Sequence, residues 1–222
     1  MAVAVAFSGS SAGQLITQLS PEANQAFDEY VKTAETRMDW KAQNRPLSVK
    51  NGMIHDWSKS MVAPGASVEK ALAVFQDYAN YKTIFGPEVA DSKLVDHNDG
   101  LWHAWLQLRR KKVMTVVLNS EYEIEYRPLG EGRWAILSRS TRISEVDEGR
   151  ELPPGTGHGF LWRLNAYWLI EPRREGLFLE CRSISLSRDI PTGLGWIIRP
   201  LVSNVPRESL DATIVGLGKA LR

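Results

Sequence analysis

The stretch from Leu177 to Arg222 constrains the fold more than any other part of the chain. Leu177 to Arg188 is dense in strand formers, and Pro191-Thr192-Gly193 breaks the pattern. Leu210, Ile214, Leu217 and Leu221 then recur at helical spacing on one face. A strand that gives way to an amphipathic helix needs a sheet for that helix to lie across. A helix starting near Pro206 runs 16 residues to Leu221, roughly 24 Å at 1.5 Å per residue, enough to cross a curved sheet. Gly216 and Gly218 lie inside it, each costing about 1 kcal/mol relative to Ala. Close approach to the sheet, loosening for ligand access and an early fraying end are three readings of that cost.

The sheet itself is legible upstream. Candidate strands run over Val89 to Asp96, Leu101 to Arg109, Val113 to Tyr126, Arg133 to Ile143, Gly159 to Glu171 and Leu177 to Arg188. Short joins at Asn98-Asp99-Gly100, Arg110-Lys111-Lys112, Gly130-Glu131-Gly132 and Arg173 to Gly176 make neighbours antiparallel, hence a meander. Met114 to Tyr126 spans 13 residues, about 43 Å at roughly 3.3 Å each, so it must curl or carry a bulge. Its even positions include Val116, Leu118, Tyr122, Ile124 and Tyr126, while Glu121, Glu123 and Glu125 occupy the opposite, wet face.

Before the meander, Ser20-Pro21 opens a helix whose apolar face carries Phe27, Tyr30, Val31, Ala34 and Met38, running to about Lys41. His55 to Val62 reads as a short strand between Asn51-Gly52 and Pro64-Gly65. Ser67 caps a second helix through Val68, Ala71, Leu72 and Phe75. The order is helix, strand, one or two helices, meander, closing helix: an α+β chain. Residues 1–19 read as a flexible leader or a trimmed signal remnant, since the apolar run Ala2 to Phe7 lacks a basic flank and a full-length apolar core. Residues 20–222 read as one domain, with 20–43 as an added N-terminal helix. A cytoplasmic setting is favoured, and an exported one follows if the leader is a signal remnant.

Composition excludes several classes. A net charge of +1, from 27 basic and 26 acidic residues, carries no footprint of a nucleic-acid binder. The lone Cys181 removes CxxC redox and metal motifs, and no 18-residue apolar run spans a membrane. The histidines, His55, His97, His103 and His158, sit far apart without HExxH or His/Cys spacing, so no metal is assigned. Gly155 to Gly159 lacks the spacing of a phosphate cradle and reads as a mobile loop, able to act as a lid. No GxSxG elbow occurs, and no cofactor is assigned. Arg109-Arg110-Lys111-Lys112 reads as a solvated turn that offers transient contact with an anionic membrane surface.

Two stretches carry a family likeness. Val62-Ala63-Pro64, Ser67-Val68 and Phe75 to Tyr78 resemble the first strand, Ala-Pro turn and first helix of the START/SRPBCC superfamily. Glu180, Ser185 to Arg188, Pro191, Pro200, Pro206 and Leu210 to Leu221 resemble its last strand and closing helix. The resemblance covers roughly Ile54 to Arg222. It implies the helix-grip fold, a curved antiparallel sheet of about six or seven strands wrapped around a long C-terminal helix. It further implies an elongated cavity between sheet and helix that holds lipids, sterols, polyketides or other apolar molecules. Some relatives are cyclases or hydrolases and others only carry, and no catalytic motif is present here to match.

Candidate ligand-binding residues follow from the faces. Eight Trp against six Phe favours large rings with a polar handle. Alternation puts Phe160, Trp162, Leu164, Ala166, Trp168 and Ile170 on one face, predicted inward. The face carrying Trp134 and Ile136 continues as Ser138 and Ser140, small where a packed core needs bulk. Taken singly each ring reads as core; taken together with the grip they read as a pocket. Tyr122, Tyr126, Leu210 and Ile214 complete the set. Glu180 and Arg182 share a face with Phe178, Ile184 and Leu186. Without a bulge both point inward and anchor a polar ligand head; with one, Leu177, Leu179 and Cys181 turn inward and the pair is an ordinary surface feature. The leading expectation is a binding or carrier protein for an apolar small molecule or lipid. The alternatives are a cyclase or hydrolase using Glu180 with Tyr122 or Tyr126, and an interaction module with a filled core.

Overall fold

The computed structural model describes residues 16–36, 41–111, 115–190 and 204–222. Hairpins dominate because the turn residues select them. Asp99 and Gly100 both take positive φ, 52° and 80°, giving the tight twist that joins β4 (Val89–Asn98) to β5 (Leu101–Lys111). Asn51 does the same between β2 (Arg45–Val49) and β3 (Gly52–Ala63). The long strands are β6 (Thr115–Gly130), β7 (Arg133–Asp147), β10 (Arg163–Arg173) and β11 (Gly176–Ser187). With two-residue β8 (Arg150–Glu151) they form a nine-stranded antiparallel sheet in the order β2-β3-β11-β10-β7-β6-β5-β4, β8 pairing with β7. The count exceeds the expected six or seven because β2 and β8 also join it. Separately, β1 (Thr17–Gln18) pairs with β9 (Thr156–Gly157).

The helices follow their caps. Ser20 Oγ accepts from the Ala23 amide at the start of α1 (Pro21–Thr36), and Ser67 Oγ accepts from Lys70 at the start of α2 (Val68–Gln76). A 3₁₀ turn (Tyr78–Asn80) and short α3 (Tyr81–Ile84) follow, and α4 (Val205–Ala220) closes the chain across the inner face of the sheet. Gly216 is explained by close approach to α3 rather than to the sheet: a Cβ there would collide with the Ile84 carbonyl oxygen. Met38, Lys112, Met114 and Pro191 to Gly193, used in the sequence reading, lie outside the described residues.

The sheet has a core on each side. Leu177, Leu179, Cys181, Trp168 and Ile170 pack with Leu210, Ile214 and Leu217 of α4 and with Phe75 of α2. On the other side, Ala23 and Phe27 of α1 pack with Ile54, Ala135, Leu137, Trp162, Tyr167, Ile184 and Leu186. The expectation of one wet face holds for β6, whose Glu121, Glu123 and Glu125 are half-buried or less. The outer faces of β10 and β11, by contrast, are kept dry by α1.

Polar networks pin α1 to that outer face. Arg182 bonds both oxygens of buried Asp56 at 2.9 Å, and Tyr30 of α1 donates to Asp56 at 2.6 Å. One turn further on, in the last turn of α1, Glu35 accepts from Arg139 at 2.8 and 3.0 Å and from Tyr167 at 2.7 Å. Burial alone would raise the Glu35 carboxyl, but these donors outweigh it and hold it below the usual range.

Candidate ligand-binding site

Register sets the shape of the inner face. One cross-strand row reads Tyr126, Ile136, Trp168, Cys181, and the next reads Ile124, Ser138, Ala166, Ser183. The first is bulky and packs to α2 and α4. In the second, three small residues on neighbouring strands leave the space beneath α4 unfilled. The result is a cavity of about 280 Å³ between the sheet and Val205, Pro206, Ser209, Leu210 and Thr213 of α4. Its wall is mainly apolar, including Leu106, Leu108, Val116, Leu118, Phe160 and Leu164, and a site of this kind takes an apolar guest.

At one end, hydrogen-bond accounting fixes the protons. The Phe75 carbonyl, left over at the last turn of α2, accepts from both Tyr81 and Tyr126, the latter at 2.8 Å. Tyr126 has given its single proton, so the 2.8 Å contact between Tyr78 and Tyr126 has Tyr78 as donor. Burial pushes Tyr78 and Tyr122 up to about 12 and Tyr81 and Tyr126 well above the usual phenol range. Burial likewise raises the Cys181 thiol. These groups stay neutral at pH 7.

At the other end, Arg110 reaches from β5 to Glu88 and, at 2.7 Å, to Glu208 in the first turn of α4. The basic run is therefore not a simple solvated tip: Arg110 turns inward and ties the closing helix to the sheet, while Arg109 is exposed at the rim. The Gly155 to Gly159 segment is not free either. It is held by the β1–β9 pair and by His158, which bonds Glu145 and stacks on Phe160 at 5.2 Å.

Of the residues singled out from the sequence, Tyr122, Tyr126, Ser138, Trp168 and Leu210 come together on the cavity wall. Trp134 and Ile214 belong to the same inner cluster without reaching the wall. Ser140 lies beside a bulge on β7, where Thr141 has no partner on β6, and its hydroxyl accepts from the Leu164 amide at 2.9 Å. Trp162 is on the opposite side, against Phe27, because the chain bends there and β10 starts only at Arg163.

Glu180 and Arg182 also face outward. The β11 register runs without a bulge against both neighbours, yet its odd residues, Leu177 to Ser185, are the inward ones. The inward expectation took the apolar company of Ile184 and Leu186 as the mark of the inner face, whereas α1 buries them outside. Sequence reasoning missed Ser183, Ser185 and Tyr78. The rule that picked Ser138, small polar residues where bulk is expected, selects Ser183 and Ser185 once the odd face is known to be inner. Among the described residues no cluster of His, Cys, Asp or Glu suits a metal ion, and no helix is long and apolar enough to cross a membrane.

No protein-family model matches this chain, and no curated protein matches it. Solved structures do. The human StarD13 (DLC2) lipid transfer and protein localization domain aligns with a TM-score of 0.52 at 11% identity, covering 93% of this chain and 99% of that one. Human STARD10 aligns at 0.50 and 10% identity, covering 91% and 82%. The di-domain ARO/CYC StfQ from the steffimycin biosynthetic pathway aligns at 0.52 and 15% identity over 76% of this chain, which spans half the length of that protein. At these identities the likeness is one of fold: the chain has the START helix-grip fold that the resemblance implied.

Proposed function

We propose that this chain binds and carries an apolar small molecule or lipid in the cavity between the sheet and α4. The observation that supports it most directly is the row Ser138, Ala166, Ser183, which keeps a largely apolar space of about 280 Å³ open under the closing helix. The fold neighbours named for lipid transfer and for aromatase/cyclase activity favour the same use of the fold. The enzymatic alternative needed a titratable pair facing the cavity. Its carboxylate, Glu180, lies on the other face, and its tyrosines are held protonated. Native mass spectrometry of freshly purified protein, followed by extraction and small-molecule analysis, tests the reading. A stoichiometric apolar passenger is expected. An empty protein that also ignores a panel of fatty acids and aromatic probes overturns it.

A further inference from the structure

We infer that the part of the ligand lying against the sheet is uncharged and carries a hydroxyl or carbonyl oxygen, and that Ser138, Ser183 and Ser185 select it. This rests on the carrier reading above. Of the other buried serines on the sheet, Ser120 bonds the Leu106 carbonyl, Ser140 the Leu164 amide and Ser187 His55, whereas Ser92 and Ser144, outside the cavity lining, have no hydrogen-bond partner among the described residues. The wall serines differ in facing open space. Ser185 is 2% exposed and faces the cavity, and none of the hydrogen bonds among the described residues uses its hydroxyl or those of Ser138 and Ser183. An apolar guest pressed against these hydroxyls would leave them without a partner, at about 1–3 kcal/mol each, a cost that a guest oxygen at this spot avoids.

Geometry makes these serines one patch. Ser138 and Ser183 flank Ala166 in a single cross-strand row, and Ser185 follows Ser183 on the same face of β11, roughly 7 Å along the strand. The hydroxyls can donate or accept, so alcohol and carbonyl oxygens both fit. A charged group does not. Arg110 is already engaged by Glu88 and Glu208, and Arg109 is at the exposed rim, so an ion pressed against the serines would be desolvated without a counter-charge among the described residues.

The test uses three probes of one shape, naphthalene, 1-naphthol and 1-naphthoate, titrated by fluorescence at pH 7 into the full chain and into the S138A/S183A/S185A variant. The wild type is expected to prefer 1-naphthol to naphthalene by about tenfold, as one or two net hydrogen bonds supply, and to bind 1-naphthoate most weakly. In the variant the naphthol preference should fall to near unity while naphthalene affinity holds, with circular dichroism and thermal melting confirming the fold. Equal binding of naphthol and naphthalene by the wild type, or tightest binding of naphthoate, overturns the inference without needing the variant. So does a folded variant that keeps the preference. Naphthalene binding with no discrimination leaves the carrier reading standing and removes this inference; failure of all three probes in a protein that native mass spectrometry finds empty and that also ignores fatty acids removes both.

Discussion

Ala166→Leu separates an open cavity from a filled core by the sign of its effect. Ala166 lies between Ser138 and Ser183, and its side chain faces the space beneath α4. Leucine adds three carbons. At about 0.8 kcal/mol per buried methylene the gain is about 2.4 kcal/mol, less about 0.5–1 kcal/mol for the lost rotamers. The net stabilisation is about 1.5 kcal/mol, which for a chain of this length raises Tm by roughly 3–6 °C. In a packed core the same substitution would force neighbours off their rotamers and cost about 1–3 kcal/mol, lowering Tm by several degrees. Differential scanning fluorimetry reads the sign, and extraction of the purified variant reads the passenger. The expected result is a higher Tm with the passenger displaced. A lower Tm refutes the cavity, and a higher Tm with undiminished capture refutes its use as the ligand site.

Three further outcomes follow from particular contacts. His55 is fully buried with its Nε2 against Ser187 Oγ, and burial lowers its pKa from the ordinary 6.5 to about 4. The unfolded chain therefore binds the proton first, and stability falls as pH drops from about 6.5 toward 4. Urea unfolding at pH 7.5 and 4.5 should show His55→Gln losing about 2–3 kcal/mol less across that interval than the wild type, and equal losses would remove His55 as the cause. Arg182→Met leaves Asp56 in the outer core without its main partner and should cost about 3–5 kcal/mol in urea unfolding, whereas a surface pair would cost under about 1. Gly216→Ala should destabilise by about 1–3 kcal/mol despite alanine's helix propensity, since the new methyl meets the Ile84 carbonyl; a higher Tm would mean that α4 is not seated there.

The parts legible in the sequence were those set by neighbours in the chain. Ser20 and Ser67 cap the helices they were predicted to open, and the Asp99-Gly100 hairpin and the alternation from Val116 to Tyr126 are local facts of turn chemistry and period. What was not legible depends on which distant element covers which face. In β11 both the odd set, Leu177, Leu179 and Cys181, and part of the even set, Ile184 and Leu186, are buried, so a period of two cannot say which side holds the cavity. The apolar stripe of α1 was visible, but its partner surface comes from four strands spread over more than a hundred residues. The bond between Arg182 and Asp56 joins residues separated by 126 positions, beyond any spacing rule. Ser138 was found because smallness at an inward position is a local signal. Tyr78 was passed over because it stands where the helical pattern breaks, and its role comes from Tyr126, 48 residues away.

The two faces of β11 also bear on how an unfilled space survives in the fold. A void is lost when the surrounding elements relax into it, and its persistence depends on how far the scaffold resists collapse. Here the small residues are not on the strands with a wet outer face. Ser138, Ala166, Ser183 and Ser185 lie on β7, β10 and β11, the strands that α1 buries from behind through Phe27, Ala135, Leu137, Ile184 and Leu186. Those strands are pinned twice more, by Asp56 with Arg182 and Tyr30, and by Glu35 with Arg139 and Tyr167. For the sheet to close on the cavity, it would have to pull away from α1, taking the Tyr30 donor from Asp56 and both Arg139 and Tyr167 from the Glu35 carboxylate, at a cost on the order of several kcal/mol in all. The space under α4 therefore stays open because its floor is held from the opposite side.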